Sequence, residues 1–261
     1  MDTRSDDLIP SGFRQVRWRS RALGTQMVFG LYLPPGKQDE PGRRLPTLFL
    51  LHGSGHSHLS VLVQVGPQDC LSLLRDTILV IPDGDQGWWL DSPAVSQSKY
   101  AQYLLELVQL VDARYPTAAQ RRARGICGFS MGGYGAILVA AQRPDLFGSA
   151  SSLLGTLDIE QMFPDYYRLR VLLGSEIQAW RHVNPSHQAA QLSNTDLFFC
   201  TAEHAVDRPQ NEAFARALES HAIPFTYAVY PGEHNIAFVR QHIGECLTFH
   251  RRSFDRSLQG S

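Results

Sequence analysis

The sequence predicts an α/β fold: a mostly parallel central sheet with helices on both faces. Three observations carry this. Short apolar runs without polar alternation (Thr47–Leu51, Thr77–Ile81, Ser149–Leu154, Leu197–Thr201) read as strands buried on both faces. Stretches of helical periodicity separate most of them, as a doubly covered parallel sheet requires. Residues 128–133, Gly-Phe-Ser-Met-Gly-Gly, fit the G-x-S-x-G turn that joins a strand to a helix in such sheets.

The elements follow in chain order. Phe13–Ser20 alternates, and Met27–Leu33 ends at Pro34-Pro35-Gly36, so the pair reads as an antiparallel hairpin at the sheet edge. After strands Thr47–Leu51 and Thr77–Ile81, a helix around Gln97–Tyr115 places Tyr100, Leu104, Leu107, Val108 and Val111 on one stripe, and Pro116 ends it. Arg124-Gly125-Ile126-Cys127 is a short buried strand, and Gly133–Ala141 is a helix of small and apolar residues. Pro144 breaks the chain before strand Ser149–Leu154. Strand Leu197–Thr201 leads to a helix from about Pro209, a natural first-turn proline, to His221. Phe225–Tyr230 is the last strand, and the closing helix runs from about Asn235 to Phe249 with Ile236, Val239, Ile243 and Leu247 inward. Residues 155–191 interrupt the alternation and carry Phe163, Tyr166, Tyr167 and Trp180. Inserted on the carboxyl side of the strands, where open α/β sheets bind ligands, this segment is expected to form a small lid.

A chain of 261 residues fits one domain, 1–261, with a core that needs no staples. A formal net charge of -1 gives no electrostatic reason to expect nucleic acid or an anionic membrane as partner. No run approaches the roughly 18 apolar residues of a membrane span, and the polar start Met1–Asp7 lacks a signal-peptide core, so a cytoplasmic location is expected. Cys70, Cys127, Cys200 and Cys246 show no paired spacing; Cys127 and Cys200 fall in core strands as small hydrophobes. The basic run Arg121-Arg122-Ala123-Arg124 reads as a solvated loop away from the site.

Within the turn, Ser130 is the expected nucleophile, lifted above the sheet with a helix N-terminus beneath it. Gly128 and Gly132 are required because a Cβ at either would strike a neighbouring element. A serine hydroxyl needs a base, and the base needs a partner that fixes its tautomer. His234, in Tyr230-Pro231-Gly232-Glu233-His234-Asn235 after the last strand, is the expected base. The acid is sought in the loop 202–208, which offers Asp207 and Glu203. Asp207 is favoured, although it stands where it would N-cap the next helix; Glu203 has the alternative of a solvated loop residue. Acyl chemistry also needs two N–H donors aimed at an oxyanion. The amide of Met131 is one. The loop Leu51-His52-Gly53-Ser54-Gly55-His56 supplies the other, with Ser54 as donor and Gly53 permitting close approach. His52, His56 and His58 are interleaved with glycine and have no nearby carboxylate in sequence, which argues against a metal site; His52 is expected to hold the loop by hydrogen bonds and to border the substrate. In Asp83-Gly84-Asp85-Gln86-Gly87-Trp88-Trp89, either one of the two tryptophans lines the acyl or alcohol pocket or both pack beneath the lid.

Taken together, these residues resemble the esterase D-like (putative esterase) branch of the α/β-hydrolase superfamily. The resemblance runs through Leu-Tyr-Leu-Pro-Pro-Gly at 31–36, Leu-His-Gly at 51–53, Ile-Pro-Asp-Gly at 81–84, Gly-Phe-Ser-Met-Gly-Gly-Tyr-Gly at 128–135 and Tyr-Pro-Gly-Glu-His at 230–234. It implies an α/β-hydrolase fold, nucleophile and base at Ser130 and His234, and an oxyanion hole at Met131 and the residue after His52-Gly53. It departs at one point. Family members carry Gly-x-x-Asp directly after the strand matching Leu197–Thr201, whereas this chain reads Thr201-Ala202-Glu203-His204, with histidine in the place of the acid.

The expected activity is a serine carboxylesterase acting on a small-molecule ester or thioester. An acyltransferase using the same triad, or a non-catalytic protein on the same fold, stand as alternatives. No cofactor and no metal are implied, and the oligomeric state is not legible.

Overall fold

The computed structural model describes residues 12–36, 40, 42–66, 71–74, 76–162 and 167–259. Its centre is an eight-stranded sheet: β1 Phe13–Arg19, β2 Gln26–Tyr32, β3 Thr47–Leu51, β4 Ile78–Pro82, β5 Arg124–Phe129, β6 Ser149–Leu153, β7 Asp196–Ala202 and β8 Thr226–Tyr230, in spatial order β1-β2-β4-β3-β5-β6-β7-β8. The first two strands form the expected edge hairpin, Phe13 opposite Tyr32 and Arg19 opposite Gln26. β2 pairs antiparallel with β4, and every later pairing is parallel.

The five inner strands β3 to β7 explain the unbroken apolar runs. All five residues of β3, β4 and β6 are buried, because helices cover both faces. One layer contains α1, Tyr100–Arg114, and α2, Met131–Gln142, whose residues 131–141 are all buried. α1 buries Tyr103, Leu104, Leu107, Val108 and Val111, while Tyr100, at its first turn, is only partly covered. α3, Tyr167–Leu173, and α4, Arg208–Ser220, follow in the chain. α5, Ile236–Gln259, lies on the opposite face against β5, β6 and β7. It continues past the expected end at Phe249 because His250, Ser253 and Phe254 keep the apolar stripe going: all three are buried, and Ser253 bonds Asp196 at 2.7 Å.

Of the run Arg121–Arg124, Arg124 belongs to the buried strand expected at 124–127 and not to a solvated loop. It opens β5, is 4% exposed, and its guanidinium bonds Asp112 at 2.6 Å and the Leu146 carbonyl at 2.9 Å. A buried charge is tolerated only with such partners. Within the segment 155–191, the helical turn Pro185–Leu192 packs against α2 and α4, and the turn Ile159–Met162 packs against the turn Ile177–Trp180. Tyr134 of α2 donates to the Val183 carbonyl at 2.7 Å, and Asn211 of α4 to the Gly155 carbonyl at 2.8 Å. Trp180 is buried, whereas Tyr167 is exposed; Phe163 and Tyr166 lie outside the described residues, as does Cys70. Cys127, Cys200 and Cys246 are free, buried thiols. No helix among the described residues is long and apolar enough to cross a membrane.

Candidate active site

At the carboxyl end of β5 the chain turns into α2 within one residue, Ser130, whose φ of 53° and ψ of -120° are rare for a residue with a Cβ. Such a conformation costs on the order of 1–3 kcal/mol and persists only where the surroundings impose it. Here the surroundings are the glycines. An ideal Cβ on Gly128 would lie 2.4 Å from the Gly132 carbonyl carbon, and one on Gly132 only 2.1 Å from the Leu51 carbonyl oxygen. With nothing larger than hydrogen at both positions, β5, β3 and the first turn of α2 close on one another. Ser130 also donates its amide to Leu153 of β6 at 2.9 Å. Its hydroxyl is thereby held above the sheet.

The loop after β8 brings His234 to that hydroxyl. His234 Nε2 lies 3.0 Å from Ser130 Oγ, and Nδ1 lies 2.5 Å from Asp207 Oδ1. Asp207 is 1% exposed, yet its carboxylate is saturated: Thr201 Oγ1 donates to Oδ2 at 2.7 Å and Asn211 Nδ2 at 3.0 Å. Those two bonds fix the carboxylate plane, and an ionised acceptor leaves the His234 proton on Nδ1. Nε2 is then free to accept from the serine hydroxyl.

Asp207 occupies the N-cap position of α4, but its side chain makes no capping bond. The carboxylate is turned away from the helix and towards the imidazole. Glu203 is exposed, and the hydrogen bonds recorded for it are through its backbone, to Tyr230 and to Arg208. His204, in the register where the family resemblance expects an acid, is likewise exposed. Thr201 and Asn211 went unrecognised in the sequence. Asn211 had a legible signal, since it stands four residues after Asp207 on the same helix face; Thr201 had none beyond its place at the strand end.

A cavity of ≈ 160 Å³ adjoins the pair, bounded by Gly53, Ser54, Ser130 and His234 and by the apolar side chains of Phe129, Leu154, Ile236 and Val239. Ser54 thus borders the same space as Ser130. Met131 opens α2, and the first N–H groups of a helix have no acceptor within it. The loop bearing Ser54 approaches closely because Gly53 has no side chain; a Cβ there would stand 2.7 Å from the Phe129 ring.

The tryptophans and His52 are placed otherwise than expected. Trp88 and Trp89 are 2% and 0% exposed, and neither borders the cavity. Both have left-handed backbones, φ 53° and 55°, which turn the indoles inward. Trp88 packs edge-on against Tyr134, and Trp89 donates its indole N–H to the His52 carbonyl at 3.3 Å. His52 is fully buried, with Nδ1 2.8 Å from the Gly53 carbonyl and Nε2 accepting the Gly84 amide at 2.8 Å. With both ring nitrogens engaged, it holds the loop, as its hydrogen-bonding expectation required, and it does not border the cavity. His58 bonds Asp83 at 3.1 Å. Asp83 is held far below the usual carboxylate range: its burial opposes ionisation, but the neighbouring imidazoles of His52 and His58 outweigh that. His56 borders the cavity, and burial lowers its basicity.

The family model described as putative esterase matches residues 20–245. Esterase Rv1288 of Mycobacterium tuberculosis is 30% identical over 152 residues, covering 56% of this chain and 33% of that protein. The chain therefore matches about a third of the length of that relative. An S-formylglutathione hydrolase of Paracoccus denitrificans is 24% identical, covering 90% of this chain and 91% of the relative. Among solved structures, the fluorophosphonate-binding serine hydrolase FphF of Staphylococcus aureus superposes with a TM-score of 0.82 at 20% identity, covering 93% of this chain and 99% of that one. The S-formylglutathione hydrolase FrmB of the same organism gives 0.81 at 19%, covering 92% and 98%. At these identities the structural likeness establishes the α/β-hydrolase fold.

Proposed function

The chain belongs to the putative esterase family, and on that premise we propose that it is a serine carboxylesterase with Ser130 as nucleophile, His234 as general base and Asp207 as the orienting acid. One observation carries the reading: the continuous line from Ser130 Oγ through the imidazole to a buried, doubly anchored carboxylate, with steps of 3.0 and 2.5 Å.

Ser130 Oγ attacks the acyl carbonyl as His234 Nε2 takes its proton. Charge builds on the carbonyl oxygen, and the amides of Met131 and Ser54 are the donors proposed to receive it. The imidazolium, steadied by Asp207, returns the proton to the departing alcohol or thiol, and the acyl group remains on Ser130. Water then repeats the sequence and releases the acid. The small cavity beside Ser130 supports a small acyl group. Similarity over most of both chains to an S-formylglutathione hydrolase supports including thioesters among the substrates.

An acyl-chain series of p-nitrophenyl esters, with a matched thioester, tests the reading. Turnover should be highest for the shortest chains and vanish in Ser130→Ala, and a fluorophosphonate should label Ser130. Full turnover by Ser130→Ala would refute the assignment. Adding an alcohol acceptor separates the two acyl chemistries: turnover that depends on the acceptor would assign transfer in place of hydrolysis.

A further inference from the structure

We propose that Gln86 is a positioning residue for the oxyanion hole, acting through the hydroxyl of Ser54; this rests on the esterase reading above, in which the Ser54 amide is one of the two donors. Ser54 Oγ donates to Gln86 Oε1 at 2.5 Å. Ser54 lies in a short turn, with the His56 amide bonded to the Gly53 carbonyl at 3.2 Å and φ of +78° at Gly55. A turn so rich in glycine has little conformational stiffness of its own. What fixes it comes from the neighbouring loop 83–89, at two points. Gly84 bonds the His52 ring at the start of the turn, and Gln86 bonds the Ser54 hydroxyl at its tip.

The supporting loop is built to hold one shape. Three of its seven residues, Asp85, Trp88 and Trp89, have positive φ without being glycine. Backbone strain of this density persists only where tertiary contacts impose it, and it gathers at functional sites. The contacts are on both sides. The Trp88 and Trp89 indoles are buried in the core, and a Cβ on Gly84 would stand 2.4 Å from the Trp89 ring. A Cβ on Gly87 would stand 1.9 Å from the Tyr100 ring, whose hydroxyl bonds Asp85 at 2.6 Å. From α3, Arg168 Nε donates to the Gln86 carbonyl at 3.0 Å. Gln86 is therefore held by its main chain while its side chain reaches the oxyanion turn. Gln86 itself does not border the cavity. Its effect on the reaction runs through the position of the Ser54 amide, which must meet charge that develops only in the transition state.

The test is a double-mutant cycle on p-nitrophenyl acetate with Gln86→Leu, Ser54→Ala and the double variant. Ser54→Ala keeps the backbone amide and removes only the hydroxyl. Each single variant should lower kcat about tenfold, as small misplacement of a transition-state donor does. KM and thermal midpoint should stay close to wild type, and the double variant should lose no more than either single one. The rate of fluorophosphonate labelling at Ser130 should fall in parallel. Additive losses, or kcat within twofold of wild type in Gln86→Leu, would overturn the proposal. Should Gln86→Leu fail to fold, Ser54→Ala decides alone: unchanged kcat there also overturns it. Ser130→Ala is run alongside. Retained turnover in that variant refutes the esterase reading, whereas its loss with indifferent Gln86 and Ser54 variants refutes only the role of Gln86.

Discussion

Asp207 Oδ1 stands 2.5 Å from Nδ1 of His234, although 26 residues and an entire helix and strand intervene and the aspartate begins a helix it does not cap. Asp207 stands three residues beyond the register where the family resemblance expects an acid, and its carboxylate still meets the imidazole. Exchanging Asp207 for Asn removes the acceptor that selects the productive imidazole tautomer. Asp207→Asn is expected to lower kcat by about 10⁴-fold, with Glu203→Gln within about twofold of wild type, as an exposed residue should be. Steady-state kinetics on one ester decides it, and the opposite ranking would move the acid to Glu203.

The carboxylate is itself anchored. Thr201→Val deletes the 2.7 Å donor to Asp207 Oδ2 and leaves Asn211 as the remaining side-chain donor to that oxygen. The expected cost is about 1–3 kcal/mol of stability, from a buried charged acceptor left short of a partner. A loss of activity of about tenfold should accompany it, as supporting partners typically contribute. Denaturant unfolding and kcat measured on the same preparation check both; full activity would show that Asn211 alone holds the carboxylate.

The turn at Ser130 should tolerate no added methyl. Gly132→Ala places a Cβ against the Leu51 carbonyl, backbone that cannot swing aside. The expected result is destabilisation of about 3 kcal/mol or more, or failure to fold, from overpacking. Gly24→Ala, with open space around its Cβ but a φ of +67°, is the control: it carries only the smaller, conformational cost of about 1 kcal/mol. Equal losses in the two variants would contradict the steric account.

Val239 borders the cavity from the first turn of α5 and is 1% exposed. Val239→Ala enlarges that space. The chain-length optimum should shift towards longer acyl groups, at a stability cost of about 1–2 kcal/mol for the methyl groups removed. An unchanged optimum would place the acyl group elsewhere.

Arg124 and Asp112 tie the start of β5 to α1 at 2.6 Å, and their side chains are 5% and 22% exposed. Asp112→Asn leaves the Arg124 charge without its counter-ion in a buried setting. About 2 kcal/mol of stability should be lost, below the range for fully enclosed pairs because Asp112 keeps some solvent. Thermal unfolding checks it, and activity at low temperature should be retained.

The strands and helices were legible because their signals are local. β3 was bounded correctly from four apolar residues led by Thr47, β1 from its alternation and β2 from the apolar run that ends at Pro34-Pro35. The serine turn was legible because its Gly-x-Ser-x-Gly pattern is contiguous, although the contact that forbids a Cβ on Gly132 is made with Leu51 of β3. Errors fell where a residue's role depends on which way it faces. Trp88 and Trp89 look like pocket residues in a loop, yet a left-handed backbone at each turns the indoles into the core, and sequence does not report φ. Arg124 looks like part of a charged loop, but its partner, Asp112, lies on another element. Gln86 carries no motif at all; its side-chain contact exists only because two loops meet.

What the chain determined by itself was the alternation of strand and helix and the strained serine turn, since both rest on hydrophobic period and glycine placement over short spans. What the tertiary structure alone decided was which of Asp207 and Glu203 reaches the imidazole of His234. Both carboxylates lie in one short loop after β7, so propensity does not separate them. The choice is made by where the loop after β8 delivers an imidazole and where Thr201 and Asn211 supply donors that make a buried negative charge tolerable.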